Sequence, residues 1–204
     1  MSKHLIQVVV TLALIPWLSA CQSDGKQSAS DREGYRTIPA QIGRDTELAR
    51  SLTAKAALAI KEGQVEEAEQ LLRDALTEDV MYGPAHNNLG QLSYQQKRYY
   101  EAAWEFQYAI RLMPHQPIPR NNLGMVFEAT GQLEEAIEQY GLAVAEEPDN
   151  PKLLGNLARA QIRNGERGPE VQQLLRQILM KDNRSEWRSW AEQQYYLLDE
   201  TSKE

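Results

Sequence analysis

The chain of 204 residues has one cysteine, three histidines and two phenylalanines. A lone cysteine cannot close an internal disulfide. Cys21 and the scattered His4, His86 and His115 make no cluster with metal-ligand spacing. There is no Gly-rich phosphate loop and no Ser/His/Asp set, so neither catalysis, a cofactor nor a metal is expected. Positive charge is also scarce. The 22 Lys and Arg stand against 29 Asp and Glu, for a net charge of −7. Nucleic acid is therefore not the expected partner, because phosphate binding needs a basic surface. The apolar run Leu5 to Leu18 is about 14 residues, short of the roughly 20 that a membrane-spanning helix needs.

What the chain does have is a repeat. Residues 83–116 and 117–150 are two segments of 34 residues that align without a gap. Asn87, Asn88, Leu89 and Gly90 fall on Asn121, Asn122, Leu123 and Gly124. Ala102 falls on Ala136, Phe106 on Tyr140, Ala109 on Ala143, and Pro114 on Pro148. One period held over this many positions is the signature of a solenoid unit. Each copy carries two helical patterns split by a polar turn, Gln96-Lys97-Arg98 and then Thr130-Gly131-Gln132. Gly90 and Gly124 lie inside the first helix, where glycine costs roughly 1 kcal/mol against alanine. That cost is explained if a neighbouring helix crosses there and leaves no room for a side chain. Ala102 and Ala136 provide the facing small residues, and Phe106 and Tyr140 fill the gap beside them. Pro114 and Pro148 stop the second helix, because proline cannot donate the next hydrogen bond. One helix pair cannot bury its apolar faces alone, so copies must stack.

The pattern resembles the tetratricopeptide repeat. Leu89, Gly90, Ala102, Phe106, Ala109 and Pro114 meet the family's small and aromatic positions, and the second copy meets them again. His86 and Arg120 stand where the family has tryptophan, and Ser93 and Phe127 where it has tyrosine. The resemblance implies an all-α fold, a right-handed α-solenoid of about four helix pairs. The repeats are expected at about 49–82, 83–116, 117–150 and 151–184, within a domain spanning 46–200. In the first, Ala68, Leu72 and Ala75 align with Ala102, Phe106 and Ala109, while Lys55-Ala56 replaces the Leu-Gly pair. In the fourth, the turn around Gly165 carries one extra residue, which puts Val171, Leu175 and Ile178 on the inner face. Segment 185–199, with Trp187, Trp190, Ala191 and Leu198 along one side, is expected to cap the stack.

The first twenty residues are a different kind of sequence. Lys3 gives a positive start, Leu5 to Leu18 is largely apolar, and Leu18-Ser19-Ala20 precedes Cys21. This describes a secretory leader over residues 1–20. Leu-Ser-Ala-Cys resembles the bacterial lipobox, which implies cleavage before Cys21 and acylation of that cysteine. Two or more acyl chains anchor a protein stably where one does not. Removing residues 1–20 takes away Lys3 and no acid, leaving 21 basic and 29 acidic residues. Gln22 follows the cysteine, not aspartate, which by the same resemblance implies the outer membrane, facing the periplasm. Residues 21–45 are polar apart from Tyr35, Ile38 and Ile42 and read as a lipidated, flexible tether.

The resemblance further implies that the first helix of each pair lines a concave face. Asn87, Gln91, Tyr94, Asn121, Met125 and Glu128 then point into it, joined in the fourth repeat by Lys152, Arg159 and Arg163. The last three lie 7 and 4 residues apart, on one helix face. They form a basic edge suited to an acidic stretch or the carboxylate end of a peptide. Helical spacing marks a second surface. Tyr100, Trp104 and Tyr108 recur every four residues, opposite the core side of their helix. Such an exposed aromatic stripe marks a contact, either with a partner or with Tyr35, Ile38 and Ile42 of the tether. The expected function is a membrane-anchored scaffold or adaptor that binds peptide segments of envelope proteins and assists complex assembly or localisation. In layout the chain is similar to pilotins, outer-membrane assembly components and envelope-protease adaptors built on this repeat. The alternative is a self-associating structural lipoprotein, a homo-oligomer.

Overall fold

The computed structural model describes residues 44–201, and every described element is helical. The expected leader, Cys21 and all but the last two residues of the tether lie outside the described residues. The helices are α1 (Thr46–Glu62), α2 (Val65–Glu78), α3 (Gly83–Gln95), α4 (Tyr99–Leu112), α5 (Pro117–Ala129), α6 (Leu133–Glu146), α7 (Pro151–Arg163), α8 (Pro169–Lys181) and α9 (Ser185–Thr201).

The sequence period becomes a structural one. Helices α3, α5, α7 and α9 start 34 residues apart, as do α2, α4 and α6. Proline occupies the first turn of α3, α5, α7 and α8, where its missing N–H has no partner to lose. The first turns of α2 and α6 carry Glu66-Glu67 and Glu134-Glu135, which suit the positive end of the helix dipole. The last repeat shows the expected extra residue. Val171, Leu175 and Ile178 are buried one position later than Ala136, Tyr140 and Ala143 would place them. Helix α1 begins at Thr46, three residues ahead of the expected repeat boundary at 49.

Within each central pair an aromatic ring packs against a glycine. A β-carbon on Gly90 would come within 2.8 Å of the Phe106 ring, and one on Gly124 within 2.7 Å of the Tyr140 ring. The glycines thus make room for a side chain from the partner helix, and the rings are fully buried. The turns within pairs share one backbone shape. Gly63, Gly131 and Gly165 have φ of 77°, 81° and 90°. Lys97 holds the equivalent place in the second repeat with φ of 61°, a left-handed conformation that costs a side-chain-bearing residue roughly 1–2 kcal/mol.

The two ends of the stack are closed by matching devices. Asp79 and Asp182 sit at corresponding positions after α2 and α8, and both are buried. Asp79 accepts hydrogen bonds from Arg44 Nε at 2.8 Å, Thr46 Oγ1 at 2.8 Å and the Met81 amide at 3.0 Å. Asp182 accepts from Arg184 Nε at 2.9 Å and the Arg184 amide at 3.0 Å. These donors hold both carboxyls below the usual range against the opposing effect of burial. Helix α9 covers the far end with Ala191 and Leu198 buried, and Trp190 packs beside them. Trp187 leaves that row and lies over Gly155 of α7, where a β-carbon would come within 2.6 Å of its ring.

Candidate binding groove

The first helices of the pairs run side by side and leave a cleft of about 500 Å³. Gln91 and Tyr94 of α3, Asn121 and Met125 of α5, and Lys152 of α7 line it, as the sequence reading expects. The structure adds Ile118, Asn156, Arg184 and Trp187. Ile118 is solvent-exposed and contributes apolar surface beside Met125.

An asparagine ladder ties the floor of the cleft together. Asn122 Nδ2 donates to Asn87 Oδ1 at 3.0 Å, and Asn156 Nδ2 donates to Asn121 Oδ1 at 2.7 Å. The period places the same pair in adjacent repeats, so one bond recurs from helix to helix. Asn87 and Asn121, expected as ligand-facing groups, thus already have their side-chain oxygens engaged by the next repeat.

Next to the cleft lies a charged cluster. Glu128 is buried, and its carboxylate accepts four hydrogen bonds. Arg159 Nε donates to Oε1 at 3.0 Å and Nη2 to Oε2 at 2.9 Å. Arg163 Nη1 donates to Oε1 at 2.6 Å, and the Tyr140 hydroxyl to Oε2 at 2.8 Å. Burial would raise the pKa of Glu128. The hydrogen bonds from Arg159, Tyr140 and Arg163 and the Arg159 charge outweigh burial and hold it at about 2. Burial, then the Glu128 charge and hydrogen bond, push the Tyr140 hydroxyl well above the usual phenol range. The sequence reading treats Lys152, Arg159 and Arg163 as one open basic edge, but the structure divides them. Arg159 and Arg163 serve Glu128, while Lys152 lines the cleft with no ion pair among the described residues.

Two of the residues that sequence reasoning missed come from one place. Trp187, in the first turn of α9, packs on Gly155 of α7, and Arg184 just before α9 lines the same cleft. The Trp187 ring is flanked by the guanidiniums of Arg159 at 5.5 Å and Arg184 at 5.1 Å. The available signal was the glycine itself, which replaces the asparagine found at that position in the two preceding repeats.

On the outer face of α4, Tyr100 is 97% and Trp104 61% exposed. Tyr108 differs from the expectation of a three-ring open stripe. It is half-buried, stacks on His86 with centroids 5.2 Å apart, and carries the Arg111 guanidinium over its ring at 4.2 Å. His86, isolated in sequence, is buried. Its Nδ1 lies 2.6 Å from Glu105 Oε2 and its Nε2 2.9 Å from the Val80 carbonyl. Both ring nitrogens face acceptors, a geometry that favours the protonated ring. Burial opposes this, but Glu105 and the carbonyl prevail, and the pKa is raised. Tyr35, Ile38 and Ile42, the other expected cover for the stripe, lie outside the described residues.

Among the described residues no group of three His, Cys, Asp or Glu is placed to hold a metal ion. No described helix is long and apolar enough to cross a membrane.

Comparison with known proteins places this architecture. Two family models, both described as tetratricopeptide repeat, match residues 53–117 and 127–191. No curated protein matches the chain. Among solved structures, PilF of Pseudomonas aeruginosa superposes with a TM-score of 0.68 at 22% identity, over 78% of this chain and 71% of that one. The first tetratricopeptide domain of Spaghetti, bound to the HSP90 peptide SRMEEVD, has a TM-score of 0.58 at 21% identity. That match covers 61% of this chain and 99% of the other. The O-GlcNAc transferase of Thermobaculum terrenum has a TM-score of 0.62 at 25% identity, over 67% of this chain and 26% of that chain. With two matched segments and a solenoid of paired helices, the chain is a tetratricopeptide-repeat protein.

Proposed function

We propose that this protein is a membrane-anchored adaptor that binds peptide segments of envelope proteins in the groove of α3, α5 and α7 and assists assembly or localisation of their complex. The observation that carries this reading is the cleft itself. It is about 500 Å³, open, and lined by apolar and amide side chains from three successive repeats. An extended or helical peptide needs such a mixed surface, with apolar pockets for anchoring side chains and polar groups for orientation. The peptide held by the Spaghetti domain supports the groove as the place to look. The anchor in this reading is Cys21, acylated after removal of residues 1–20 and seated in the outer membrane.

Site-specific photo-cross-linking in the full, lipidated chain tests the groove. A photoreactive residue at Met125 should form adducts with envelope proteins, and one at the exposed Leu142 of α6 should not. Equal labelling from both sites, or none from Met125, removes the groove from the function. Cys21→Ala should release the protein from the membrane fraction, and retention there refutes the lipid anchor. The exposed Tyr100 and Trp104 favour self-association as a second reading. Light scattering on the chain from Gln22 onward decides it, because a concentration-independent monomer excludes an oligomer.

A further inference from the structure

The groove has a charge that the rest of the chain lacks. The protein carries a net −7, yet four cations gather along the groove: Lys152 and Arg184 line the cleft, and Arg159 and Arg163 lie in the cluster next to it. Two buried carboxylates oppose them. Glu128 holds Arg159 and Arg163, and Asp182 holds Arg184. Lys152 has no acid partner among the described residues. Beside Lys152 the wall is apolar, made by Ile118, Met125 and Trp187.

The position of Glu128 decides how this charge is used. A pair of arginines whose donors converge on one point is a ready receptor for a carboxylate. Here that point is already occupied, because Arg159 donates to both oxygens of Glu128 and Arg163 donates to Oε1, at 2.6–3.0 Å. A ligand carboxylate brought to the same place would meet the charge of Glu128. The Lys152 end has the opposite character, an uncompensated ammonium next to apolar surface.

We propose that the groove selects peptide segments that pair an apolar side chain, seated against Ile118, Met125 and Trp187, with an acidic residue at Lys152, and that Glu128 is a specificity-determining residue, an internal stand-in for a ligand carboxylate that withholds Arg159 and Arg163 from the partner. This rests on the peptide-binding reading of the groove. It adds the charge of the partner and the end of the groove that reads it.

The test uses the full chain in detergent and fluorescein-labelled ten-residue peptides that share two leucines. Three of their other positions are glutamate, glutamine or lysine, and anisotropy reads the binding. The acidic peptide should bind at least tenfold more tightly than the neutral one, and the lysine peptide most weakly. Lys152→Glu should abolish the preference for the acidic peptide. Glu128→Gln should strengthen acidic-peptide binding at least fivefold and leave the neutral peptide unchanged. Arg163→Gln, a change at a half-exposed side chain that leaves the core intact, should shift acidic-peptide affinity less than twofold, because Arg163 serves Glu128 and not the ligand. Thermal melting checks each variant. If Glu128→Gln fails to fold, Arg163→Gln decides the role of Glu128 by itself. Equal or tighter binding of the neutral or lysine peptide overturns the proposed charge selection. A tenfold loss in Arg163→Gln, or no gain in folded Glu128→Gln, overturns the role of Glu128. Failure of the broader reading looks different: no peptide of any charge binds, and Met125 yields no cross-link. If Met125 cross-links only neutral or basic segments, the groove remains a peptide site and the charge selection is wrong.

Discussion

The two central repeats differ by very few atoms where it matters. Phe106 over Gly90 and Tyr140 over Gly124 occupy the same position with the same ring packing. The second ring ends in a hydroxyl, and the residue one repeat on from Tyr94 is Glu128. Those two changes turn a neutral contact into a buried ionic cluster that recruits Arg159 and Arg163 from the next repeat. A repeat protein thus keeps its scaffold where ring meets glycine and varies its chemistry one turn away. The outer face of the second helices follows the same logic. Tyr100, Trp104 and Tyr108 correspond to Glu66, Gln70 and Asp74 in α2 and to Glu134, Glu138 and Leu142 in α6. The scaffold does not require the aromatic stripe, since the flanking repeats fold without it.

This contrast can be broken most strongly at the carboxylate. Glu128→Ala leaves the Tyr140 hydroxyl and two guanidiniums facing a void. Losing one partner of a buried pair costs about 3–5 kcal/mol, which the partial exposure of both arginines reduces to roughly 2–3 kcal/mol. Urea unfolding should show that loss, while the matching substitution Tyr94→Ala in the second repeat should show only a packing loss. Gly124→Leu comes next. It drives a side chain into the Tyr140 ring and should destabilise by roughly 1–3 kcal/mol; an unchanged melting temperature would contradict the ring-on-glycine packing.

Tyr140→Phe makes the third repeat resemble the second. It deletes one hydrogen bond to a charged acceptor, worth about 1.5 kcal/mol, and leaves the ring in place. Acid sharpens the comparison. The folded pKa of Glu128, about 2, lies below the unfolded carboxylate value near 4.3. Its contribution is therefore fully present above the unfolded value and is lost as pH falls toward 2. The melting temperature should drop over that window in the wild type and drop less in Tyr140→Phe. His86 works in the opposite sense, because its folded pKa is raised. Its contribution is present below the unfolded value near 6.5 and fades as pH rises through the folded one. His86→Gln should flatten that alkaline limb. A limb of unchanged slope would show that His86 is not the titrating group.

The smallest effect concerns the turns. Lys97 alone carries a side chain at the left-handed position that Gly63, Gly131 and Gly165 share. Lys97→Gly relieves that strain and gives back part of the gain through the freer unfolded chain, for a net stabilisation of roughly 0.5–1 kcal/mol. A lower midpoint in urea would mean that Lys97 has a role beyond the turn.

Much of this was legible in the residues. The period of 34, the small and aromatic positions and the stop at each proline specify nine helices among the described residues and their pairing. The extra residue before α8 could be read because the buried row slips by one, from Ala136 and Tyr140 to Val171 and Leu175. The resemblance to the tetratricopeptide repeat implies which positions of each first helix face the groove, and Gln91, Met125 and Lys152, expected there on that ground, line the cleft. Partnerships across repeats were not legible. Period arithmetic says that Glu128, Arg159 and Arg163 face the same way, but not that the carboxylate will capture both guanidiniums. Nor does it say that Trp187 will cross to Gly155, or that His86 will find Glu105 and the Val80 carbonyl.

The sequence by itself therefore determined the helices, their register and the buried rows, because these follow from local propensity and from a period repeated along one chain. Only the tertiary structure decided which charges are free. Burial and a few ångströms of distance set the strength of an ion pair, and both arise only when the repeats stack. The stacking commits Arg159, Arg163 and Arg184 to acids of this chain and leaves Lys152 in the groove without one.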